Sequence, residues 1–176
     1  EPRDVHRFVL MAIDRRSGRV VWERTAREER PHQPSMKDGT WASSSPITDG
    51  RRVFAYFESS GLYAYDMEGT LLWQKHFGDK KMFADVGESG STPVLYKDRL
   101  VLAWDHQGSS FVVALDARTG EEIWRAPRQE VDAWATPLVV EHDGRVQVVT
   151  AAEKRLRSYD LETGNIVWES EGLTMN

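Results

Sequence analysis

The stretch Ala114-Leu115-Asp116-Ala117-Arg118-Thr119-Gly120-Glu121-Glu122-Ile123-Trp124 decides the fold of this chain, because its Asp, Gly and Trp recur three more times. The other copies run from Asp14 through Gly18 to Trp22, from Asp66 through Gly69 to Trp73, and from Asp160 through Gly164 to Trp168. Successive tryptophans are 51, 51 and 44 residues apart. Such a period is typical of supersecondary units that stack on copies of themselves, so the sequence predicts a repeat protein.

Each copy is predicted to be a β-hairpin. A strand-like run such as Phe111-Val112-Val113-Ala114-Leu115 precedes the Asp, and a second short run such as Leu71-Leu72-Trp73 follows the Gly. The Asp can accept hydrogen bonds from nearby backbone N–H groups, and the Gly supplies the positive φ of a bulged turn. The copy at Asp66 is one residue shorter, so we expect its turn to be of a different type.

A second pair of strands is predicted upstream of each of the last three hairpins. The first strand of each pair begins at a proline, where the missing N–H is tolerated; these prolines are Pro46, Pro93 and Pro137. Turns at Asp49-Gly50, Lys97-Asp98 and Asp143-Gly144 separate the two strands of each pair. Each unit is therefore a four-stranded antiparallel meander, and the fold class is all-β. A radial array of such sheets is a β-propeller whose first strands line a central channel.

The repeat resembles that of the pyrroloquinoline-quinone-like (PQQ-like) β-propellers. The pattern Ala-x-Asp-x-x-Thr-Gly-x-x-x-Trp is nearly intact from Ala114 to Trp124, and the resemblance, which covers essentially the whole chain, is to BamB-like and quinoprotein-type propellers. It implies that the repeated residues are structural and that the tryptophans dock between neighbouring blades. These residues are Trp22, Trp73, Trp124 and Trp168, with Asp14, Asp66, Asp116, Asp160, Gly18, Gly69, Gly120 and Gly164. One buried Trp contributes at most about 4–6 kcal/mol.

The predicted blades do not make a complete ring. Residues 1–30 form an outer half-blade, and whole blades follow over 41–78, 88–127 and 134–170. The resembled family has seven or eight blades. We therefore expect about three and a half blades of a larger ring, whose open faces meet the remaining blades or a second copy. A self-sufficient four-bladed ring is the alternative.

Composition excludes several function classes. The 176 residues carry a net charge of -5, so broad attraction to nucleic acid is not expected. With no Cys, a disulfide framework, a thiolate metal site and a thiol nucleophile are excluded. Lys80-Lys81 is interpreted as a solvated pair in a turn. No run predicts a transmembrane segment and no signal peptide is visible, while the resemblance implies a periplasmic or other extracytoplasmic location in a bacterium.

An enzymatic role is the alternative interpretation. The resemblance implies that a quinoprotein dehydrogenase would hold PQQ over calcium with an Asp base, metal-binding Glu and Asn residues and often adjacent cysteines. None of these can be matched residue by residue, so no catalytic or metal residue and no cofactor is predicted outside that alternative. The acidic residues near inner strands are interpreted as solvated; they are Asp85, Glu88, Asp105 and Asp132.

The predicted binding surface lies where the repeats differ. Residues just before each inner strand should meet at one mouth of the channel and form a ring of aromatic and polar groups. A second candidate surface is the connection that begins at Trp104. The candidate residues are Trp41, Ser43, Glu88, Ser89, Trp104, Asp105, His106, Asp132 and Trp134. The main hypothesis is a non-enzymatic scaffold that binds a protein or small ligand there; alternatively, Trp41 and Trp134 are packing wedges between blades.

Overall fold

Fourteen strands in four antiparallel sheets make up the computed structural model, which describes residues 4–35, 37, 39–83 and 89–173. The first sheet contains β1 (His6–Ile13) and β2 (Val20–Glu29). The second contains β3 (Ile47–Thr48), β4 (Arg52–Tyr56), β5 (Leu62–Asp66) and β6 (Leu71–Lys75). The third contains β7 (Val94–Tyr96), β8 (Arg99–Trp104), β9 (Ser110–Asp116) and β10 (Glu122–Arg128). The fourth contains β11 (Leu138–His142), β12 (Arg145–Ala151), β13 (Arg155–Asp160) and β14 (Ile166–Glu171).

The predicted all-β propeller architecture is confirmed. The last three sheets are four-stranded meanders in chain order, and the first sheet has two strands. The third and fourth sheets end one residue beyond the predicted blade limits of 127 and 170. A 3₁₀ turn, Glu58–Ser60, lies within the connection from β4 to β5.

The repeated Asp organises the hairpin turn of each blade. Asp116 Oδ1 accepts hydrogen bonds from the backbone N–H groups of Arg118 and Thr119 at 2.8 and 3.0 Å, and Gly120 adopts a φ of +75°. In the shorter turn, Asp66 Oδ1 accepts from the N–H of Thr70 at 2.7 Å. The hydrogen bond from the Thr70 N–H is the main reason that the pKa of Asp66 is lowered. The turn at Asp66 therefore differs from the others, as its length predicts.

Three of the repeated tryptophans dock on the next blade along the chain. Each indole Nε1 donates to the carbonyl of the residue after a turn Asp: Trp22 to Met67, Trp73 to Ala117 and Trp124 to Leu161, at 2.8–3.1 Å. Trp168 departs from the docking expected for it. Its Nε1 donates at 3.0 Å to Oε1 of Gln147 in its own sheet, and the side chain is 41% exposed, because the described residues contain no sheet after β14.

The hydrophobic core lies between the sheets. Phe8 and Leu10 of the first sheet pack against Tyr63 and Tyr65 of the second. Two further clusters join the second sheet to the third, through residues such as Leu62 and Leu102, and the third sheet to the fourth. Each sheet therefore packs face to face on the next one, and the short first strands β3, β7 and β11 are neighbours.

Candidate functional site

The connections that enter the first strands lie at one edge of the stacked sheets, which we call the mouth. It comprises residues 41–46, 89–93 and 132–137 together with the turns 57–61, 105–109 and 152–154. Because each blade is a meander, the turns between second and third strands share this edge, and the Asp-to-Gly turns lie at the opposite edge. The mouth is thus built from connections, which vary in sequence between blades.

Hydroxyl groups before the prolines tie neighbouring blades together. Ser44 Oγ donates to the carbonyl of Ser91 at 2.9 Å, and Ser91 Oγ donates to the carbonyl of Ala135 at 3.1 Å. One position later, the N–H of Ser45 donates to Thr92 Oγ1 at 3.0 Å, and the N–H of Thr92 donates to Thr136 Oγ1 at 3.1 Å. The polar groups of the predicted ring therefore bond neighbouring blades to each other and fix their relative positions.

A buried ion pair holds the connection between the second and third sheets. Lys80 Nζ lies 2.7 Å from Glu58 Oε2, and both side chains are buried. Ser89 Oγ donates to Glu58 at 3.0 Å and the N–H of Gly90 donates at 2.6 Å. The ammonium also lies 5.1 Å from the ring centroid of Trp104. The predictions of Lys80 as a solvated turn residue and of Ser89 as a surface residue are wrong, because both side chains turn inward onto Glu58.

The second predicted surface, at Trp104, is buried. Trp104 is the last residue of β8, is 2% exposed and packs against Phe77 and Phe111. Asp105 lies 3.2 Å from Nε of the equally buried Arg128. Burial raises the pKa of Asp105 to about 6, and the opposing charges of Arg128 and Lys80 limit that rise. The prediction of a polar surface here is wrong, because these side chains fill the space between sheets.

His106 is also buried, and it bonds to the connection that contains Lys80 and Lys81. Its Nδ1 accepts a hydrogen bond from the N–H of Lys81 at 3.1 Å. Burial lowers the pKa of His106, and the charge of Lys80 lowers it further. A neutral ring is what this geometry requires, since the Nδ1 atom acts as an acceptor.

The two candidate tryptophans of the mouth differ in exposure. Trp41 is half-buried, its Nε1 donates to the carbonyl of Gln33 at 2.9 Å, and its ring centroid lies 4.6 Å from that of His6. Trp134, in the connection before β11, is 54% exposed. Trp41 therefore matches the packing alternative, whereas Trp134 presents its ring at the surface. Ser43 is exposed, and its Oγ donates to the carbonyl of Thr40 at 3.2 Å.

Two adjoining cavities of about 250 and 260 Å³ flank Trp134. We call them together the Trp134 groove. Its side chains come from four connections that reach the mouth and from the end of β12: Phe83, Gln107, Val131, Asp132, Ala133, Trp134, Ala135, Ala151, Ala152 and Glu153. Phe83 and Val131 are 65% and 47% exposed. The groove thus combines an exposed apolar cluster with two carboxylates.

Asp132 fixes the shape of the groove. Its Oδ1 accepts from the N–H of Phe83 at 3.0 Å, and its Oδ2 accepts from Nε2 of Gln107 at 3.2 Å. These bonds join the connection before β7, the β8–β9 turn and the connection before β11. The sequence predicted Asp132 and Trp134 and, within the connection that begins at Trp104, Gln107, but not Phe83, Val131 or Glu153. Their signal is weak, since each is a single residue in a different connection.

Comparison with known proteins assigns the family. The family model described as outer membrane protein assembly factor BamB, a PQQ-like repeat model, matches residues 58–175. The chain belongs to this family. Its predicted membership of the BamB-type PQQ-like propellers is therefore confirmed.

Relatives of two kinds share the repeat. A 1-butanol dehydrogenase (quinone) from Thauera butanivorans is 30% identical over 148 residues, which cover 78% of this chain and 21% of the relative. Outer membrane protein assembly factor BamB from Kangiella koreensis is 26% identical over 135 residues, covering 74% and 32%. The solved structure of BamB from Moraxella catarrhalis matches 94% of this chain and 47% of its own, with a TM-score of 0.65 and 18% identity. The chain thus spans about a fifth to a third of the length of these curated relatives.

The described residues do not fit a metal-quinone centre of the dehydrogenase type. Within residues 4–35, 37, 39–83 and 89–173 no three His, Cys, Asp or Glu side chains are grouped so that they could hold a metal ion. Asp105 is paired with Arg128, and Asp132 is held by Phe83 and Gln107. Two other acidic candidates, Asp85 and Glu88, lie outside the described residues.

No helix in the described part is long and apolar enough to cross a membrane.

Proposed function

We propose that this chain is part of a non-catalytic propeller scaffold that binds a protein partner through the Trp134 groove. The observation that carries the proposal is the exposed apolar cluster of Trp134, Phe83 and Val131 at the mouth. Exposed clusters rimmed by polar groups are typical of interaction sites, and Trp is enriched among residues that dominate binding energy. The hydroxyl and ion-pair networks beneath the mouth give this cluster a rigid support.

A protein partner is favoured over a small ligand by the shape of the groove. Its apolar side chains Trp134, Phe83 and Val131 are 47–65% exposed, whereas pockets for drug-sized ligands usually enclose most of the ligand's surface. The groove is a shallow surface that a protruding side chain of another protein can fill. The BamB relatives are outer membrane protein assembly factors, so we propose that the scaffold lies in the bacterial periplasm, in contact with an envelope protein. Further blades or a second copy would cover the open blade faces.

A second candidate function is a segment of a quinoprotein dehydrogenase. The observation that favours it is the 30% identity to the 1-butanol dehydrogenase (quinone). In that case PQQ and calcium would supply the redox chemistry. Their ligands would have to come from outside the described residues, within which no three His, Cys, Asp or Glu side chains are grouped to hold a metal ion. The groove at Trp134 would then be a surface of the enzyme.

Site-specific crosslinking in the native cells tests the proposal. A photoreactive p-benzoylphenylalanine replaces Trp134 in the full-length protein, and the same residue replaces Arg51, in the β3–β4 turn at the opposite edge, as a matched control. We expect a discrete protein adduct from position 134 and none from position 51. The proposal is overturned if position 134 gives no discrete adduct, or if the purified full-length protein reduces dye with an alcohol substrate once PQQ and calcium are added.

A further inference from the structure

We infer that the Trp134 groove selects a polypeptide segment in which an Arg or Lys stands next to an apolar side chain. The inference rests on the proposed function, because it names the chemistry of the partner that the groove receives. It depends on three features of the groove: uncompensated negative charge, a carboxylate available for pairing, and an aromatic face beside apolar neighbours.

The negative charge of the groove is not cancelled by its own partners. Asp132 accepts hydrogen bonds from the Phe83 N–H and the Gln107 amide, which are neutral donors. Lys, Arg and His are absent from the described residues that line the two cavities. A groove with two carboxylates and no lining cation favours a cationic partner and disfavours an anionic one such as nucleic acid.

Glu153 is the carboxylate that is available to a partner. It lies in the β12–β13 turn, lines both cavities and is half-exposed. Other acidic side chains of the mouth are committed: Glu58 pairs with Lys80, and Glu130 lies 3.7 Å from Arg155 and Arg157. Glu153 has no hydrogen bond or ion pair within the described ranges, so an incoming guanidinium or ammonium group can pair with it without displacing an internal bond.

Trp134 supplies the rest of the recognition chemistry. Its exposed side chain lines both cavities, as Glu153 does, so a cation that reaches Glu153 is also near an aromatic face, which attracts it. Phe83 and Val131 line the neighbouring cavity and offer apolar surface to a side chain adjacent to that cation. A free ammonium ion or a wholly apolar peptide would satisfy one half of the groove, whereas a basic residue with an apolar neighbour satisfies both.

A peptide titration followed by NMR tests the inference. The full-length protein is labelled with ¹⁵N-tryptophan, and the indole N–H peak of Trp134 is identified by its loss in Trp134→Phe. Three acetylated, amidated pentapeptides are compared: Gly-Leu-Arg-Leu-Gly and its analogues with Gln or Glu in place of Arg. We expect the Arg peptide to shift the Trp134 peak with an affinity about three- to ten-fold tighter than the Gln peptide, and the Glu peptide to bind most weakly.

Charge variants then assign the selectivity to Glu153. Glu153→Gln should bring the Arg and Gln peptides within about two-fold of each other, and Glu153→Lys should reverse the order so that the Glu peptide binds better than the Arg peptide. Glu68→Gln makes the same charge change in an Asp-to-Gly turn at the opposite edge and should leave the preference unchanged. Unaltered indole peaks from the other tryptophans report that each variant remains folded.

The outcomes separate the two proposals. If all three peptides shift the Trp134 peak equally, the charge selectivity is wrong while binding at the groove stands. If no peptide shifts it but the crosslink at position 134 forms, the partner is not a short basic-apolar segment, and the inference is again wrong. If neither a shift nor a crosslink is seen, the proposed function itself fails.

Discussion

The indole ring of Trp124 lies directly over Gly164 of the next blade. A Cβ added at Gly164 would be only 2.6 Å from Cδ2 and Cε3 of that ring, and the indole Nε1 donates at 2.8 Å to the carbonyl of Leu161 in the same turn. The pairs Trp22–Gly69 and Trp73–Gly120 have the same arrangement. The Gly of the repeat therefore has two roles, because it supplies the positive φ of its own turn and the space for the tryptophan of the preceding blade.

Gly164→Ala is expected to weaken the fold through both roles. The left-handed conformation and the clash with Trp124 together should lower the free energy of unfolding by about 2–4 kcal/mol. Gly144→Ala is the matched control, since Gly144 has the same φ of +73° but nothing within 4 Å of an added Cβ; it should cost about 1 kcal/mol. Urea unfolding of both variants makes the comparison. Equal losses would show that the contact with Trp124 is unimportant.

Trp134 and Trp104 are expected to differ sharply when each is replaced by Ala. Trp104 is 2% exposed within the core, so Trp104→Ala should cost about 3–5 kcal/mol. Trp134 lies at the surface, so Trp134→Ala should cost about 1 kcal/mol or less while removing the aromatic face of the groove. Urea unfolding measures both. A large loss in Trp134→Ala would identify Trp134 as a packing wedge instead of a binding residue.

The fold could be predicted from sequence because its signals are local. Asp116, Gly120 and Trp124 lie within one hairpin, and each makes its structural contacts in that hairpin or in the adjoining turn of the next blade. Repetition of the three residues then gives the number and order of the blades. The conformation of such a turn is set by its own residues and depends little on the rest of the chain.

The candidate site was predicted only in part because burial depends on distant partners. Lys80 is buried against Glu58 and Trp104, and Asp105 is buried against Arg128. No spacing in the sequence predicts these contacts. Trp41 and Trp134 both lie in connections that lead into a first strand, yet only Trp41 has His6 against its ring. Whether a residue of the mouth is buried or available for binding therefore depends on which neighbouring segment covers it.

Lys80→Met is expected to destabilise the mouth strongly. It leaves the Glu58 carboxylate buried without its cation, and removing one partner of a buried ion pair costs about 3–5 kcal/mol. Lys81→Met removes the same charge from an exposed neighbour and should change the free energy of unfolding by less than about 0.5 kcal/mol. Adding Glu58→Gln to Lys80→Met should recover part of the loss, because the remaining buried group is neutral. Thermal unfolding compares all three proteins, and a Lys80→Met variant as stable as Lys81→Met would contradict the importance of the pair.

Asp105 is expected to make the fold less stable as pH rises from about 4 to 6. Burial raises its folded pKa to about 6 from an ordinary value of 3.8, so in this window the folded carboxyl keeps a proton that the unfolded one has lost. The free energy of unfolding should therefore fall by about 3 kcal/mol across the window and lose nothing more from this group above it. Arg128, Lys80, Glu130 and Arg157 set the charge around it.

Asp105→Asn isolates this contribution because the amide does not titrate. The other carboxyl groups titrate in both proteins and largely cancel in the difference. The stability of Asp105→Asn relative to the native protein should thus rise by about 3 kcal/mol between pH 3.5 and 7, measured by urea unfolding at several pH values. A difference that stays constant would mean that Asp105 titrates as an exposed carboxyl. A difference that falls with pH would mean that the pairing with Arg128 outweighs the cost of burial and holds the folded pKa of Asp105 below 3.8.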